Sequence, residues 1–502
     1  MIEKGRYEEA YKVIRQANPL PAVSARVCDR KCETRCNLAA SGGEAVSIRA
    51  LKRFVTDNVD PSVYKPARAA AHKINGSMVA VLGAGPAGLS AAHYLSLSGY
   101  KVTLIEAENE LGGMLISCIP SYRLPRDIVR KEIHSLLNGD IAVRCGVVLG
   151  RDITVDELFK DGFKAVFLAT GASKSWQLGL EGEDTQGVYS SMEFLKVFNL
   201  RGEELAQGRV AIIGGGNSAV DAARVAIRQK AVENVILLYR RTYREMPAYA
   251  EEVEAAVEEG IKFETLVSPV KIRYVAAAEA EGVKVETFVS PIKIDSSNGR
   301  LADIRCIRNR LGDIDATGRR RPVPIPGTEF TIALDTLIVA IGERPDSDCL
   351  KSTGVEVHKD GRVCVNEKTF CTNRPGVFAG GDVVTGPNTV VDAIMSGRKA
   401  AEVIDRYLKG KELTEPAKVR WPQVFIEPAE VGDEEVEDIP RVEPPTIPPE
   451  SRRRNFAEVE MTLSAEQARR QARRCLRCDL EFTSDEKDKS DAHCAMVEEP
   501  QA

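Results

Sequence analysis

Met78-Val79-Ala80-Val81-Leu82-Gly83-Ala84-Gly85-Pro86-Ala87-Gly88 is an apolar run delivered into a glycine-rich turn. Val210-Ala211-Ile212-Ile213-Gly214-Gly215-Gly216-Asn217-Ser218-Ala219 repeats the arrangement downstream. In each, a strand brings up the turn, the glycines admit a pyrophosphate, and the helix that follows turns its N-terminus toward that charge. One such turn is weak evidence. Two in one chain predict two dinucleotides side by side, a flavin and a nicotinamide, on an α/β fold with two Rossmann-like nucleotide-binding domains.

The neighbouring residues give each turn a role. Gly83, Gly85 and Gly88 are expected to hold the pyrophosphate and adenine half of FAD. The strand that follows ends at Glu106, where an acid accepts hydrogen bonds from an adenosine ribose. Around the second turn, Gly214, Gly216, Asn217 and Ser218 are the matching contacts. There the second strand, Asn234 to Tyr239, ends in Arg240-Arg241 rather than an acid, which favours NADP(H) over NAD(H) through pairing with a 2′-phosphate. A Gly380-Gly381-Asp382 turn lies beyond another apolar strand. The strand Thr336 to Ile341 and the turn Val377 to Asp382 are expected to return the chain to the first domain, so that the second domain is inserted in the first.

A chain of 502 residues with 43% hydrophobic and 28% charged residues is that of a multidomain globular protein. A net charge of -5 argues against a dedicated nucleic-acid partner. No apolar run reaches the roughly 20 residues of a membrane span. The N-terminus carries no signal-peptide core, so a cytoplasmic setting is expected.

The 12 cysteines then read as thiols or metal ligands rather than disulfides. Cys28, Cys32 and Cys36 recur every fourth residue near one end. Cys475 and Cys478, with Cys494 nearby, lie near the other. Thiolates at such spacing suit an iron–sulfur cluster or a zinc ion. Cys118 stands alone, which weighs against electron delivery to a dithiol. The stretch Glu427 to Glu450, dense in acid and proline, reads as an extended tether. At about 80 Å of extended reach it can bring the two cysteine groups together. Structure is expected to resume near Asn455, with a helix from Ser464 to Arg474. Truncation after about residue 450 should leave flavin bound and remove the cluster.

The cysteine block, Asn18 to Val23, Ile48 to Phe54, Gly112-Gly113-Met114, Ile119 to Pro125, Tyr239 to Pro247 and both glycine turns occur in the order typical of one family. The chain resembles the small (β) subunit of glutamate synthase and its iron–sulfur flavoprotein relatives. These include the N-terminal half of dihydropyrimidine dehydrogenase and the large subunit of NADH-dependent ferredoxin:NADP oxidoreductase. The resemblance implies a helical iron–sulfur domain over 1–75, an FAD domain over 76–205 and 331–412, an NAD(P)H domain over 206–330, and a cysteine-bearing extension over 413–502. It places Gly113 and Ile119 near the isoalloxazine, and Gly381 and Asp382 at the ribityl or phosphate region. The helix at Thr389 and Val390 is placed toward the flavin's pyrimidine ring. Two departures bear on the metal: Ser24 stands where many members have cysteine, and Lys52 where relatives carry a ligand to a second cluster. One [4Fe-4S] cluster is therefore expected, drawn from both ends of the chain.

Flavin converts a two-electron hydride into single electrons, which accounts for nicotinamide and cluster in one chain. The expected role is an electron-transfer subunit passing electrons NAD(P)H–FAD–[4Fe-4S] to a partner subunit with further redox centres, or the reverse. A self-sufficient reductase of a soluble acceptor such as ferredoxin or quinone is the alternative.

Overall fold

The computed structural model describes residues 1–65, 76–137, 141–242, 245–266, 289–315, 318, 320–416, 439–453 and 455–481. It divides into two compact units, one of Met1–Pro66, Leu413–Pro445 and Met461–Ala502, the other of Ala67–Glu412 and Thr446–Glu460.

The larger unit holds two parallel five-stranded sheets. The first runs Val377–Ala379, Phe163–Leu168, Met78–Leu82, Lys101–Ile105, Ile141–Arg144 in spatial order. The second runs Val188–Ser190, Thr336–Val339, Gly208–Ile213, Val232–Thr242, Lys262–Leu266. Central strands of such sheets are covered on both faces, so they read as unbroken apolar runs; Val79, Ala80 and Val81 have no exposed surface. Both glycine turns sit at the C-terminal ends of their strands, where α/β sheets bind ligands.

Thr336–Val339 corrects one expectation. It pairs with Val188–Ser190 and Gly208–Ile213 inside the second sheet, so the return to the first sheet is made later, by Val377–Ala379 against Phe163–Leu168. An apolar buried strand suits either sheet equally, and only pairing decides. Between the sheets' strands, Lys174–Ser175 and Glu343–Arg344 form a two-stranded antiparallel ribbon.

In the smaller unit the two ends of the chain share one core. Tyr11, Leu51 and Phe54 from the N-terminal helices pack with Leu463 and Ala468 from the C-terminal segment. The first helix, Tyr7–Ala17, stops at the extended Asn18, the residue before Pro19. The last, Ala465–Arg473, starts in a capping box: the Ser464 hydroxyl accepts from Gln467 N (3.1 Å), and Gln467 Oε1 accepts from Ser464 N (2.9 Å).

Residues before Asn455 are already held in place. In the smaller unit, Arg441 pairs with Glu33 at 2.7 Å and Val442 N donates to Gln471 Oε1 at 2.9 Å. In the larger unit, Arg452 pairs with Glu258 at 2.8 Å, the Asn455 carbonyl accepts from Arg228 Nε at 3.1 Å, and Phe456 packs on Phe198. Arginines and one aromatic anchor a stretch whose overall composition reads as unstructured. Truncation after 450 would therefore strip part of the larger unit, and it does not isolate the cluster. Residues 417–438 of the tether, and Cys494, lie outside the described residues.

Candidate flavin, nicotinamide and cluster sites

The glycines of the first turn divide into two kinds. A Cβ on Gly83 would lie 2.3 Å from the Ala169 carbonyl oxygen, and one on Gly88 1.8 Å from that of Gly83. These two let strand, turn and helix close on each other. Gly85 is different: a Cβ there would meet nothing within 4 Å among the described residues, so its face is left to a ligand. The second turn repeats this division. Gly214, at φ +148°, would place a Cβ 2.1 Å from the Ala340 carbonyl oxygen, whereas a Cβ on Gly216 would meet, among the described residues, only Pro247 at 4.0 Å. The Asn217 side chain accepts from Tyr249 N at 3.0 Å, which holds the turn's first helical residue in place.

Around the first turn, Glu106 is buried and braces the loop: Oε2 accepts from Ala84 N at 2.6 Å and Oε1 from Glu108 N at 2.9 Å. Burial raises its pKa, and the two amides work against that shift. Each oxygen retains a second lone pair for a ribose hydroxyl. Gly113 lies against the turn, where a Cβ would stand 2.9 Å from Gly85 Cα, and Ile119 N closes the next turn onto the Met114 carbonyl at 3.0 Å.

Gly381 N donates to Ser396 Oγ at 2.8 Å, and Ser90 Oγ donates to the Ile394 carbonyl at 2.7 Å. These bonds clamp the Gly-Gly-Asp turn and the helix Val390–Leu408 to the helix Pro86–Leu97 of the first glycine turn. Thr389 caps Val390–Leu408, its hydroxyl accepting from Asp392 N at 3.1 Å. Asp382 thus reaches the first turn despite its distance in sequence. Its Oδ1 is buried with no hydrogen-bond partner among the described residues. Burial first, then the charges of Glu343 and Asp392, push its pKa up to about 7 against a hydrogen bond from the Asn388 amide. A buried acceptor left without a donor costs free energy, and a bound hydroxyl removes that cost.

Arg241 is occupied by structure rather than exposed for a phosphate. Its side chain is buried, paired with Asp315 at 2.7 Å and donating to the Arg320 carbonyl at 2.8 Å. Arg240, next along the strand and on its other face, is exposed; alternation along a strand sends one of two adjacent arginines inward.

Sequence reading passed over a buried charged cluster beside the second turn. Arg123 pairs with Asp221 (2.7 Å) and Glu252 (3.0 Å), Arg224 with Glu252 and with Glu259 (2.6 Å), and Arg228 with Glu259 (2.5 Å). The Arg224 and Arg228 guanidiniums each lie over the Tyr122 ring, 4.5 and 4.4 Å from its centroid. Arginines at 224 and 228 with glutamates at 252 and 259 were visible, but the sequence gives no sign that they face one another. Cys118 is buried, its thiol pushed up to about 11 by desolvation, which makes it a poor redox nucleophile.

In the smaller unit, Cys28, Cys32, Cys36, Cys475 and Cys478 are all free thiols. Cys28 and Cys32 lie close enough that the former's charge, after burial, raises the latter's pKa. Burial opposes ionisation of Cys36, but amide hydrogen bonds from Val46, Leu38 and Ala39 and the Arg474 charge draw its pKa down. Asn37 Nδ2 donates to Cys478 Sγ at 3.2 Å, so Cys478 lies beside the residue that follows Cys36. As they stand, no three or more His, Cys, Asp or Glu side chains among the described residues converge to hold a metal ion. The two departures noted in sequence meet: Lys52 Nζ donates to Ser24 Oγ at 3.2 Å.

The sequence pattern of the pyridine nucleotide-disulphide oxidoreductases matches residues 77–397, the span that holds both glycine turns and Asp382. The chain belongs to this family. Residues 1–62 match dihydropyrimidine dehydrogenase domain II, 4Fe-4S cluster. Among curated relatives, the NADP(+)-dependent formate dehydrogenase subunit beta of Moorella thermoacetica is 39% identical over 95% of this chain and 68% of its own length. The NADPH-Fe(3+) oxidoreductase subunit beta of Geobacter sulfurreducens is 35% identical over 95% and 72%. The glutamate synthase [NADPH] small chain of Escherichia coli is 34% identical over 82% and 85%. FprA of Mycobacterium tuberculosis in complex with NADPH shares the fold, with a TM-score of 0.56 at 18% identity over 66% of this chain and 85% of that one.

Membership of the pyridine nucleotide-disulphide oxidoreductases implies FAD and NAD(P)H, and the N-terminal match implies a [4Fe-4S] cluster. The open faces of Gly85 and Gly216 and the unpartnered Asp382 Oδ1 fit two dinucleotides. Five thiols in one unit fit the cluster by donor chemistry. The protein is a flavin-dependent NAD(P)H oxidoreductase. Among the described residues, no helix is long and apolar enough to cross a membrane.

Proposed function

We propose that this protein is the NAD(P)H-oxidising FAD/iron–sulfur subunit of a multi-subunit oxidoreductase. It passes electrons from NAD(P)H through FAD and one [4Fe-4S] cluster to a partner subunit with further redox centres, or runs in reverse. The observation that carries this reading is the pairing of two dinucleotide turns in the larger unit with thiols from both chain ends in the smaller one. The relatives from Moorella, Geobacter and Escherichia, each named as a subunit or small chain, support it.

In this reading Gly83, Gly85, Gly88, Glu106, Gly113 and Asp382 hold FAD. Gly214, Gly216, Asn217, Ser218 and Arg240 hold NADPH, with Arg240 on the 2′-phosphate. Bound flavin takes up hydride and releases single electrons. Cys28, Cys32 and Cys36, with Cys475 or Cys478, supply the cluster's thiolates. A second cluster is disfavoured, because an ammonium–hydroxyl hydrogen bond takes the place of two ligand positions. The cytoplasm, where thiols stay reduced, suits this chemistry. Purification from the native host under anaerobic conditions tests the proposal. A stable heteromer containing flavin, iron and sulfide is expected. A lone chain that reduces ferredoxin or quinone at full rate would favour the self-sufficient reductase, and zinc in place of iron would refute the cluster.

A further inference from the structure

Glu343 stands where the two nucleotide-binding sheets exchange chain. It follows Gly342 in the ribbon that Glu343–Arg344 forms with Lys174–Ser175. One ribbon strand leads from the first sheet into the second, and the other leads back. Its side chain belongs to neither glycine turn by sequence, yet it senses both sites. Three residues before it, Ala340 N donates to the Ile213 carbonyl at 2.8 Å and the Ala340 carbonyl abuts Gly214 of the second turn. Ser218 at the start of that turn's helix lowers the Glu343 pKa, and the Glu343 charge acts on Asp382 at the flavin turn and on Cys118.

Glu343 is only 9% exposed, and its Oε1 has no hydrogen-bond partner among the described residues. Burial raises its pKa, with the neighbouring Ser218 hydroxyl working against the shift. A buried carboxyl oxygen without a donor, beside the second glycine turn, calls for a ligand that donates.

The donor follows from the reading above, on which this inference rests. Hydride transfer needs the nicotinamide ring within about 3.5 Å of the flavin. A dinucleotide anchored at Ser218 and reaching the flavin turn at Asp382 passes Glu343. At its reacting end the ring carries a carboxamide, whose NH2 is a neutral double donor. We propose that Glu343 Oε1 accepts a hydrogen bond from the nicotinamide carboxamide, fixing the ring's rotation so that its reactive carbon faces the flavin. Glu343 is thus a positioning residue for the hydride donor.

The 3-acetylpyridine analogue of NADP+ replaces the carboxamide NH2 by a methyl group and keeps the rest of the dinucleotide. Equilibrium binding of NADP+ and of this analogue is measured on the full-chain holoprotein at pH 8, for wild type, Glu343→Ala and Glu343→Gln. Wild type should bind NADP+ roughly ten- to a hundred-fold more tightly than the analogue, the worth of one hydrogen bond to a charged acceptor. Glu343→Ala should bind both alike, and Glu343→Gln, whose amide carbonyl still accepts, should recover part of the preference. Equal binding by wild type, undiminished preference in Glu343→Ala, or loss of flavin in place of loss of preference would each overturn the inference. Failure of wild type to bind NADP+ at all would instead refute the function on which it rests.

Discussion

Asn37 Nδ2 and Cys478 Sγ lie 3.2 Å apart although 441 positions separate them in sequence. The hydrogen bond joins the residue after Cys36 to the second thiol of Cys475-Leu476-Arg477-Cys478, at the edge of a core built by Tyr11, Phe54, Leu463 and Ala468. A cluster drawn from both ends therefore needs no large closure of the chain at the moment iron binds. The loop-closure entropy is met by the shared core.

The flavin site makes a prediction that separates folding from binding. Gly85→Val places a side chain on the open face of a residue with ordinary backbone angles, φ -72° and ψ -176°. It should fold with an unchanged circular dichroism spectrum and lose FAD absorbance. Gly88→Val meets a carbonyl oxygen 1.8 Å from its Cβ and should fail to fold.

Asp382 should make the flavin-free protein lose stability as pH rises. Its pKa is about 7 in the folded chain against an ordinary aspartate value of 3.8. Folded protein therefore keeps the proton that unfolded chain releases, and stability falls from about pH 4 to about pH 7 before levelling off. Asp382→Asn should flatten that slope in thermal melts of apoprotein, and should weaken FAD retention.

The buried cluster at Glu259 should respond in the opposite sense. Burial opposes its ionisation, but Arg228 and Arg224 hold its pKa below the usual carboxylate value. Its contribution is present above that value and is lost as pH falls through the depressed one. Glu259→Gln leaves the buried Arg228 without its carboxylate, while Arg224 keeps Glu252, and should cost about 3–5 kcal/mol in denaturant unfolding.

At the nicotinamide site, Arg240→Ala should raise the NADPH KM roughly ten- to a hundred-fold, with little change for NADH. Arg241→Ala should lower thermal stability through loss of the Asp315 pair and leave the NADPH-to-NADH ratio alone. Steady-state kinetics with both donors decides between the two arginines.

The two glycine turns were legible because their geometry is backbone geometry: an apolar strand, a closing glycine and an open one leave a fixed pattern in sequence. The inserted arrangement was legible for the same reason, since Gly380-Gly381-Asp382 carries the same strand-end signature. What sequence could not give is pairing between distant residues. Thr336–Val339 fits either sheet by hydrophobicity, and its place came only from its partners. Arg240 and Arg241 look alike until strand alternation turns one inward. The stretch Glu427 to Glu450 read as tether, with structure resuming only near Asn455, because few apolar anchors stand among many acids. Arg441 nonetheless anchors its end, and Arg452 and Phe456 the residues that follow. Glu343 escaped notice because nothing in its neighbours marks a buried carboxylate between two sites.

The central claim is that one chain carries electrons from NADPH through flavin to a cluster built by its two ends. Anaerobic titration of the full-length protein with NADPH, followed by visible absorbance and electron paramagnetic resonance, tests it most directly. In wild type the flavin band should bleach and the signal of a reduced [4Fe-4S] cluster should appear. The Cys36→Ser/Cys478→Ser variant should bleach equally and show no such signal, with iron and sulfide lost. A wild-type flavin that neither NADPH nor NADH bleaches, or a full cluster signal in the double variant, would contradict the account.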